Sequence, residues 1–237
     1  MGKQLPLLFL LTALLAASSG CGSQSASQTT VATTPPTSTT RPPVSPPPTA
    51  LTIFRVDGGT LHPEVVRVPH TTAVASAALG ALRLAAPVTI SGGTARVQLS
   101  DATADEVAEI VYTLTQFPSV TTVDVAGRTG LTRDDFAAYL PIIFIESPAS
   151  GSEVPATITV SGTATVFEAT LVVELVRDGK VIEKQTVTAS EGAPARGTFS
   201  TTLHAPSAGA AVVTAFAPSA EDGTPQHQVD VPVTVTP

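Results

Sequence analysis

The sequence predicts an α+β domain followed by an all-β two-sheet sandwich, set behind a leader and a disordered tether. Three observations carry this prediction. Two helical patterns with clear boundaries lie between residues 71 and 118. From Pro141 to Pro237 no helical period occurs, and short alternating runs recur between turns. Residues 22–50 hold five Ser, eight Thr and seven Pro, 20 of 29 positions, which is too little apolar surface for a core.

The elements follow in chain order. Lys3 supplies a short positive start, and Leu5 to Ala17 is nearly all apolar, the length of a signal-peptide core and too short to span a bilayer. Ser18, Ser19 and Gly20 are small and precede Cys21, the one cysteine of the chain. An internal disulfide is therefore impossible. Small residues before a cysteine let a signal peptidase grip extended backbone. This segment resembles the bacterial lipobox. The resemblance implies that residues 1–20 are a lipoprotein signal peptide, that cleavage falls between Gly20 and Cys21, and that the Cys21 thiol carries lipid. The partner of the acylated Cys21 is then membrane lipid, and the expected location is the extracytoplasmic face of the cell membrane. The residues alone also fit an ordinary secretory signal with an incidental cysteine.

Residues 21–50 read as a lipidated tether. Pro35-Pro36, Pro42-Pro43 and Pro46-Pro47-Pro48 favour polyproline II, and at about 3.1 Å per residue the tether reaches up to roughly 90 Å. Its Ser and Thr are either O-glycan acceptors or the unmodified surface of a spacer.

Residues 51–140 read as the α+β domain. Leu51–Val56 is a strand ending at Asp57-Gly58-Gly59, and Glu64–Val68 is a second strand. Thr71–Leu84 reads as a helix with Val74, Ala78 and Leu82 on one stripe. Val88–Ile90, the turn Ser91-Gly92-Gly93 and Ala95–Leu99 form a hairpin. Thr103 and Glu106 make a capping box, and Val107, Ile110, Val111, Leu114 and Phe117 follow at helical spacing until Pro118. Val120–Val125 is the next strand. Thr132 and Asp135 repeat the capping pattern and open a short helix to Tyr139. Packing two helices on one sheet face is the natural arrangement.

Residues 141–237 read as strands only: Ile142–Ile145, Thr157–Ser161, Thr170–Arg177, Lys180–Ala189, Thr198–Leu203, Ala210–Ala217 and Gln228–Thr236. Asp178-Gly179 is a strong two-residue hairpin signal. Seven short strands in about 95 residues fit an immunoglobulin-like sandwich, without the cysteine pair and core Trp of antibody domains. A fragment beginning near Pro141 is expected to fold alone as an all-β unit.

Two stretches resemble known families. Val111–Val123 followed by Leu131–Phe136 resembles the sporulation and germination GerMN domain, over about residues 51–140. Ile145-Glu-Ser-Pro148, Gly151-Ser152, Val160–Ala164, Val166–Ala169, Arg196–Phe199 and Ser219–Gly223 resemble the immunoglobulin-like domain of bacterial spore germination. The pairing in one lipoprotein resembles a group common in high-GC Gram-positive bacteria, many of which make no spores. For that group the resemblance implies envelope or protein-interaction modules and little chemistry.

Composition narrows the function classes. Only 12 basic residues are present, scattered, with a net charge of −7, which argues against nucleic acid and against a polybasic membrane patch. His62, His70, His204 and His227 form no HExxH or HxH pattern. His62, Glu64 and His70 are the nearest approach to a zinc set, against the plainer reading of solvated loop histidines. Asp134 and Asp135 read as helix-capping carboxylates. Glu221-Asp222-Gly223 reads as a turn, since further calcium ligands at proper spacing are missing. No catalytic, metal or cofactor site is expected. Phe167 and Glu168 are open to two readings: a binding edge shared with Arg196, or a core Phe beside an Arg–Glu pair that fixes a loop. Phe167, Glu168, Arg196, Glu221 and Asp222 are the candidate binding surface. The expected function is a non-catalytic binding, scaffold or assembly role toward an envelope protein or wall polymer. The alternative is a cell-wall hydrolase or an accessory subunit of an envelope enzyme.

Overall fold

A computed structural model describes residues 45–237. The leader, Cys21 and the tether through residue 44 lie outside the described residues. No helix among the described residues is long and apolar enough to cross a membrane.

Strands dominate. β1 (Thr49–Asp57) and β2 (Thr60–Val68) form an antiparallel hairpin in full register. Thr49 and Ala50, read above as tether, already pair with Val68 and Arg67, so the tether ends earlier than residue 50. α1 (Val74–Ala81) is shorter than the predicted 71–84. Its entry is delayed because the Thr71 hydroxyl oxygen accepts the Ala73 N–H at 3.0 Å, a local bond that competes with a helical turn. Its exit is set by Arg83, which takes a positive φ of 66°.

β3 (Val88–Ser91), β4 (Thr94–Val97), β5 (Thr122–Val125) and β6 (Arg128–Leu131) make a second sheet in that order, with β4 and β5 parallel. α2 (Ala104–Leu114) joins β4 to β5 and is capped as predicted. The Glu106 N–H donates to Thr103 Oγ1 at 3.2 Å, and the Thr103 N–H donates to Glu106 Oε2 at 2.8 Å. β6 escaped the sequence reading. Its turn, Ala126-Gly127, has φ of 49° and 73°, the twist of a two-residue hairpin, but Ala is a poor advertisement for a left-handed position. Residues Arg133–Tyr139 form 3₁₀ turns, interrupted at Phe136 (φ −121°).

The remaining strands form an immunoglobulin-like sandwich. They are β7 (Ile143–Ser147), β8 (Ser152–Val154), β9 (Thr157–Ala164), β10 (Thr170–Arg177), β11 (Lys180–Thr188), β12 (Gly197–His204), β13 (Gly209–Pro218) and β14 (Pro225–Val235). One sheet runs β12-β9-β7 and the other β11-β10-β13-β14-β8. The alternating positions Ile158, Val160, Leu171, Val173, Leu175, Val213, Ala215, Val231 and Val233 fill the space between them. β8, three residues long, is too short to show an alternating pattern.

β7 divides its side chains by the period of two. Ile143 and Ile145 enter the sandwich core, while Phe144 joins the core formed by residues 51–136. The Phe144 ring centroid lies 6.3 Å from those of Phe54 and Tyr112. Between Phe54 and Tyr112 the Arg133 guanidinium stacks at 5.4 and 4.9 Å from the ring centroids, donates to Thr115 Oγ1 at 2.8 Å, and pairs with Glu146 of β7. The Ser150 N–H donates to the Pro63 carbonyl at 3.0 Å, and the Val65 N–H donates to the Ser150 carbonyl at 2.8 Å. Arg67 pairs with Glu153. Residues 45–237 therefore form one compact unit. The core membership changes at residues 143–145, where the sequence placed the boundary, but the joint is packed and hydrogen-bonded. A fragment starting at Pro141 would expose Phe144 and leave Ser150 without Pro63 and Val65.

Candidate functional site

Of the five predicted surface residues, the structure brings Phe167, Glu168 and Glu221 to one groove. Its two walls are the β9–β10 connection and the β13–β14 hairpin. The groove holds about 560 Å³, and Thr165, Ala217, Pro218, Gln226 and His227 complete much of its lining.

Sequence and packing make the first wall. A tight left-handed turn over Phe167–Ala169 places Glu168 and Ala169 at φ of 54° and 55°. Left-handed backbone at two consecutive non-glycine residues is costly, about 1–3 kcal/mol each, and persists only where the surroundings enforce it. The enforcement is visible. The Val166 carbonyl accepts the Ala169 and Ala193 N–H groups at 3.2 and 2.9 Å, and the Ala169 carbonyl accepts the Ala189 N–H at 2.8 Å. Gly192 packs beneath, where a Cβ would lie 2.8 Å from the Ala169 nitrogen. The result lifts Phe167 into solvent with 73% of its surface exposed.

The second wall is aimed by a β-bulge. Ala215 pairs with Val229, but Ala217 pairs with Gln226, so His227 and Gln228 oppose Phe216 alone. His227 takes φ of 55° there. Bulges bend and twist a strand pair, and this one sits where the hairpin tip meets the groove. Three of the six positive-φ non-glycine residues, Glu168, Ala169 and His227, thus lie at this one place.

Asp222 belongs to the hairpin tip. Its Oδ1 accepts the Thr224 N–H at 3.0 Å and the Thr224 hydroxyl at 2.8 Å, which holds its carboxyl below the usual range. It fixes the turn, as the turn reading of Glu221-Asp222-Gly223 held.

Arg196 stands apart, and neither reading of Phe167 and Glu168 survives intact. Phe167 is exposed and not in the core, and Glu168 pairs with no cation among the described residues. The Arg196 guanidinium instead donates to the Pro141 carbonyl at 2.8 Å and to Thr163 Oγ1 at 3.1 Å. Burial lowers its affinity for the proton. It ties the β12 entry to the joint between the modules, a contact across 55 residues that no local pattern announces. Reversing its charge (Arg196→Glu) is expected to destabilise the fold by about 1–3 kcal/mol, because a partly buried carbonyl loses its donor and gains a carboxylate neighbour. A denaturant melt measures it.

The other polar groups are engaged structurally. Burial raises the Glu109 carboxyl above its usual range while the Val56 N–H, donating to it at 2.8 Å, opposes the rise. His62 Nε2 lies 2.8 Å from Thr60 Oγ1, and Glu64 pairs with Arg55. Among the described residues no group of three His, Cys, Asp or Glu is placed to hold a metal ion.

The eight strands from β7 to β14 define a mostly β, immunoglobulin-like domain, and its connections carry this groove. More particularly, residues 142–224 match the family model of the immunoglobulin-like domain of bacterial spore germination. The match includes Phe167, Glu168, Arg196, Glu221 and Asp222. No curated protein matches the chain. Among solved structures, an engineered protein is similar with 18% identity and a TM-score of 0.31, over 54% of this chain and 35% of that one. The fibronectin(III)-like modules of Clostridium thermocellum CbhA are similar with 20% identity and a TM-score of 0.27, over 39% of this chain and 93% of that one.

Proposed function

We propose that this chain is a lipid-anchored cell-envelope protein with a non-catalytic binding, scaffold or assembly role, and that the Phe167 groove is its docking site. In this reading residues 51–140 are a GerMN-like α+β domain that supports the sandwich, and the acylated Cys21 holds both near the membrane. The partner is an envelope protein or wall polymer.

The observation that carries the reading is the exposed Phe167 on a strained, over-determined loop facing a bulged hairpin. Strain of this kind clusters at ligand clamps and binding loops, and here it holds a large aromatic side chain at the mouth of a groove. The groove's polar groups are the Glu168 and Glu221 carboxylates, the Thr165, Thr170 and Ser219 hydroxyls, the Gln226 amide and the His227 imidazole, and no hydroxyl is hydrogen-bonded to the imidazole or to either carboxylate as a base would require, which favours recognition over turnover.

A photo-crosslinking residue at Phe167, expressed in intact cells, is expected to capture a defined partner that the same residue at exposed Val181 does not. Reversing Glu168 and Glu221 together (Glu168→Lys, Glu221→Lys) is expected to abolish capture, with stability changing by no more than about 0.5 kcal/mol. Equal capture at both positions sinks the reading, and hydrolysis of purified wall polymer by the protein replaces it with the enzymatic one.

The anchor has its own test. Cys21→Ala is expected to move the protein out of the membrane fraction or to stall its maturation, read by fractionation and mass spectrometry of the amino terminus. Unchanged retention with no lipid on the native protein removes the anchor from the proposal.

A further inference from the structure

The docking reading leaves the chemistry of the occupant open, and the groove's charge narrows it. Glu168 and Glu221 line the groove, and no Lys or Arg does. Among the described residues neither carboxylate takes part in an ion pair, although six such pairs form elsewhere. Asp222 beside them is occupied by Thr224. Two solvated carboxylates therefore share one groove with an aromatic ring that has 73% of its surface exposed.

The surroundings reinforce this. Residues 141–237 carry ten Asp and Glu against four Lys and Arg, a net of −6. Three of the four cations are engaged: Lys184 with Glu174 at 3.1 Å, Arg177 on Ser207 and the Ala210 carbonyl, and Arg196 on the Pro141 carbonyl. A net negative charge on the domain that carries the groove favours cationic over acidic partners.

An aromatic face sharing a groove with carboxylates is the arrangement that recognises an ammonium or guanidinium group. The ring quadrupole attracts the cation, and the carboxylates accept its N–H groups. A groove of about 560 Å³ has room for one long side chain with the backbone on either side. The walls are a connecting loop and a hairpin tip, both on the surface of the sandwich. Resting on the docking reading above, we propose that the groove takes up a Lys or Arg side chain from an extended, basic segment of a partner protein.

The test uses the full-length protein in detergent and a dye-labelled pentapeptide, acetyl-Ala-Lys-Ala-Lys-Ala-amide, followed by fluorescence anisotropy. Binding is expected, and it should weaken at least about tenfold when both lysine amines are acetylated. Phe167→Ala should weaken it about tenfold. The pair Glu168→Gln and Glu221→Gln should do at least as much, while Asp178→Asn at the distant β10–β11 turn should change it less than twofold. Loss of binding with rising salt completes the expected pattern.

Equal affinity for the acetylated peptide overturns the proposal, as does an equal loss in the Asp178 variant, which would mark a net-charge effect. Tighter binding of purified wall fragments with free amines overturns the protein segment in favour of a wall polymer. If Phe167 still crosslinks a partner in cells while the lysine peptide is ignored, the cationic inference falls and the docking reading stands. Failure of both removes both.

Discussion

Replacing Phe144 with alanine is expected to lower the unfolding free energy by about 3–5 kcal/mol, the usual cost of removing a buried aromatic side chain. The residue is 3% exposed and belongs to the core built by residues 51–136, although its strand is part of the sandwich. Its loss opens a cavity against Phe54 and Tyr112, and these two rings also flank the Arg133 guanidinium. The Arg133–Glu146 pair then loses the packed surface that holds it in place. The second expected consequence is loss of cooperativity between the modules: a single equilibrium denaturation transition in the parent, and two in the variant. Chemical denaturation followed by far-UV circular dichroism reads both. A single unshifted transition means that Phe144 does not couple the modules. Phe144→Leu, which keeps most of the volume, should lose less than half as much.

Gly162→Ala is expected to be more damaging still, with a loss of at least about 4 kcal/mol or failure to fold, a size reserved for overpacking and similar events. A Cβ at this position would lie 1.9 Å from the Phe144 carbonyl oxygen and 3.1 Å from the Ile145 Cα. These are backbone atoms of the neighbouring strand, which no rotamer change can move aside. Gly162 pairs with Ile145 of β7 on one side and Phe199 of β12 on the other, so relief requires breaking the three-stranded sheet. The contrasting substitution is Gly80→Ala in α1. A Cβ there meets nothing within 4 Å, and the helix should gain about 0.8–1 kcal/mol. Opposite signs from one chemical change distinguish crowding from helix propensity. Comparable stability of the two variants contradicts the close approach of β7 and β9.

Some of the groove was legible before any coordinates. Glu221-Asp222-Gly223 announced a turn, since Asp accepts hydrogen bonds from its own downstream backbone, and Asp222 does so from Thr224. Phe167-Glu168 stood out as an aromatic and an acid before a strand. Their approach to Glu221, more than 50 residues later, was not legible. It depends on a left-handed turn at Ala169 seated on Gly192 and on a bulge at His227, and neither has a local pattern. His227 entered the sequence reading only as a solvated histidine. The left-handed φ of Glu168 and Ala169 is equally silent in the sequence, because neither residue favours it.

The chain itself determined whatever arises from neighbours within a few residues. The α2 capping box, the Asp178-Gly179 hairpin, the alternation that fills the sandwich and the change of character at Pro141 all follow from local periodicity, capping and turn chemistry. Only the tertiary structure decided the three features that define the site and the joint. β7 sends Phe144 to one core and Ile143 and Ile145 to the other, because a strand between two apolar surfaces buries both of its faces. Arg196 serves the Pro141 carbonyl rather than Glu168, because a partly buried acceptor needs a donor more than a solvated carboxylate does. Phe167 stays in solvent, because the loop that carries it is held by backbone bonds and seated on a glycine from below, and these fix its left-handed turn.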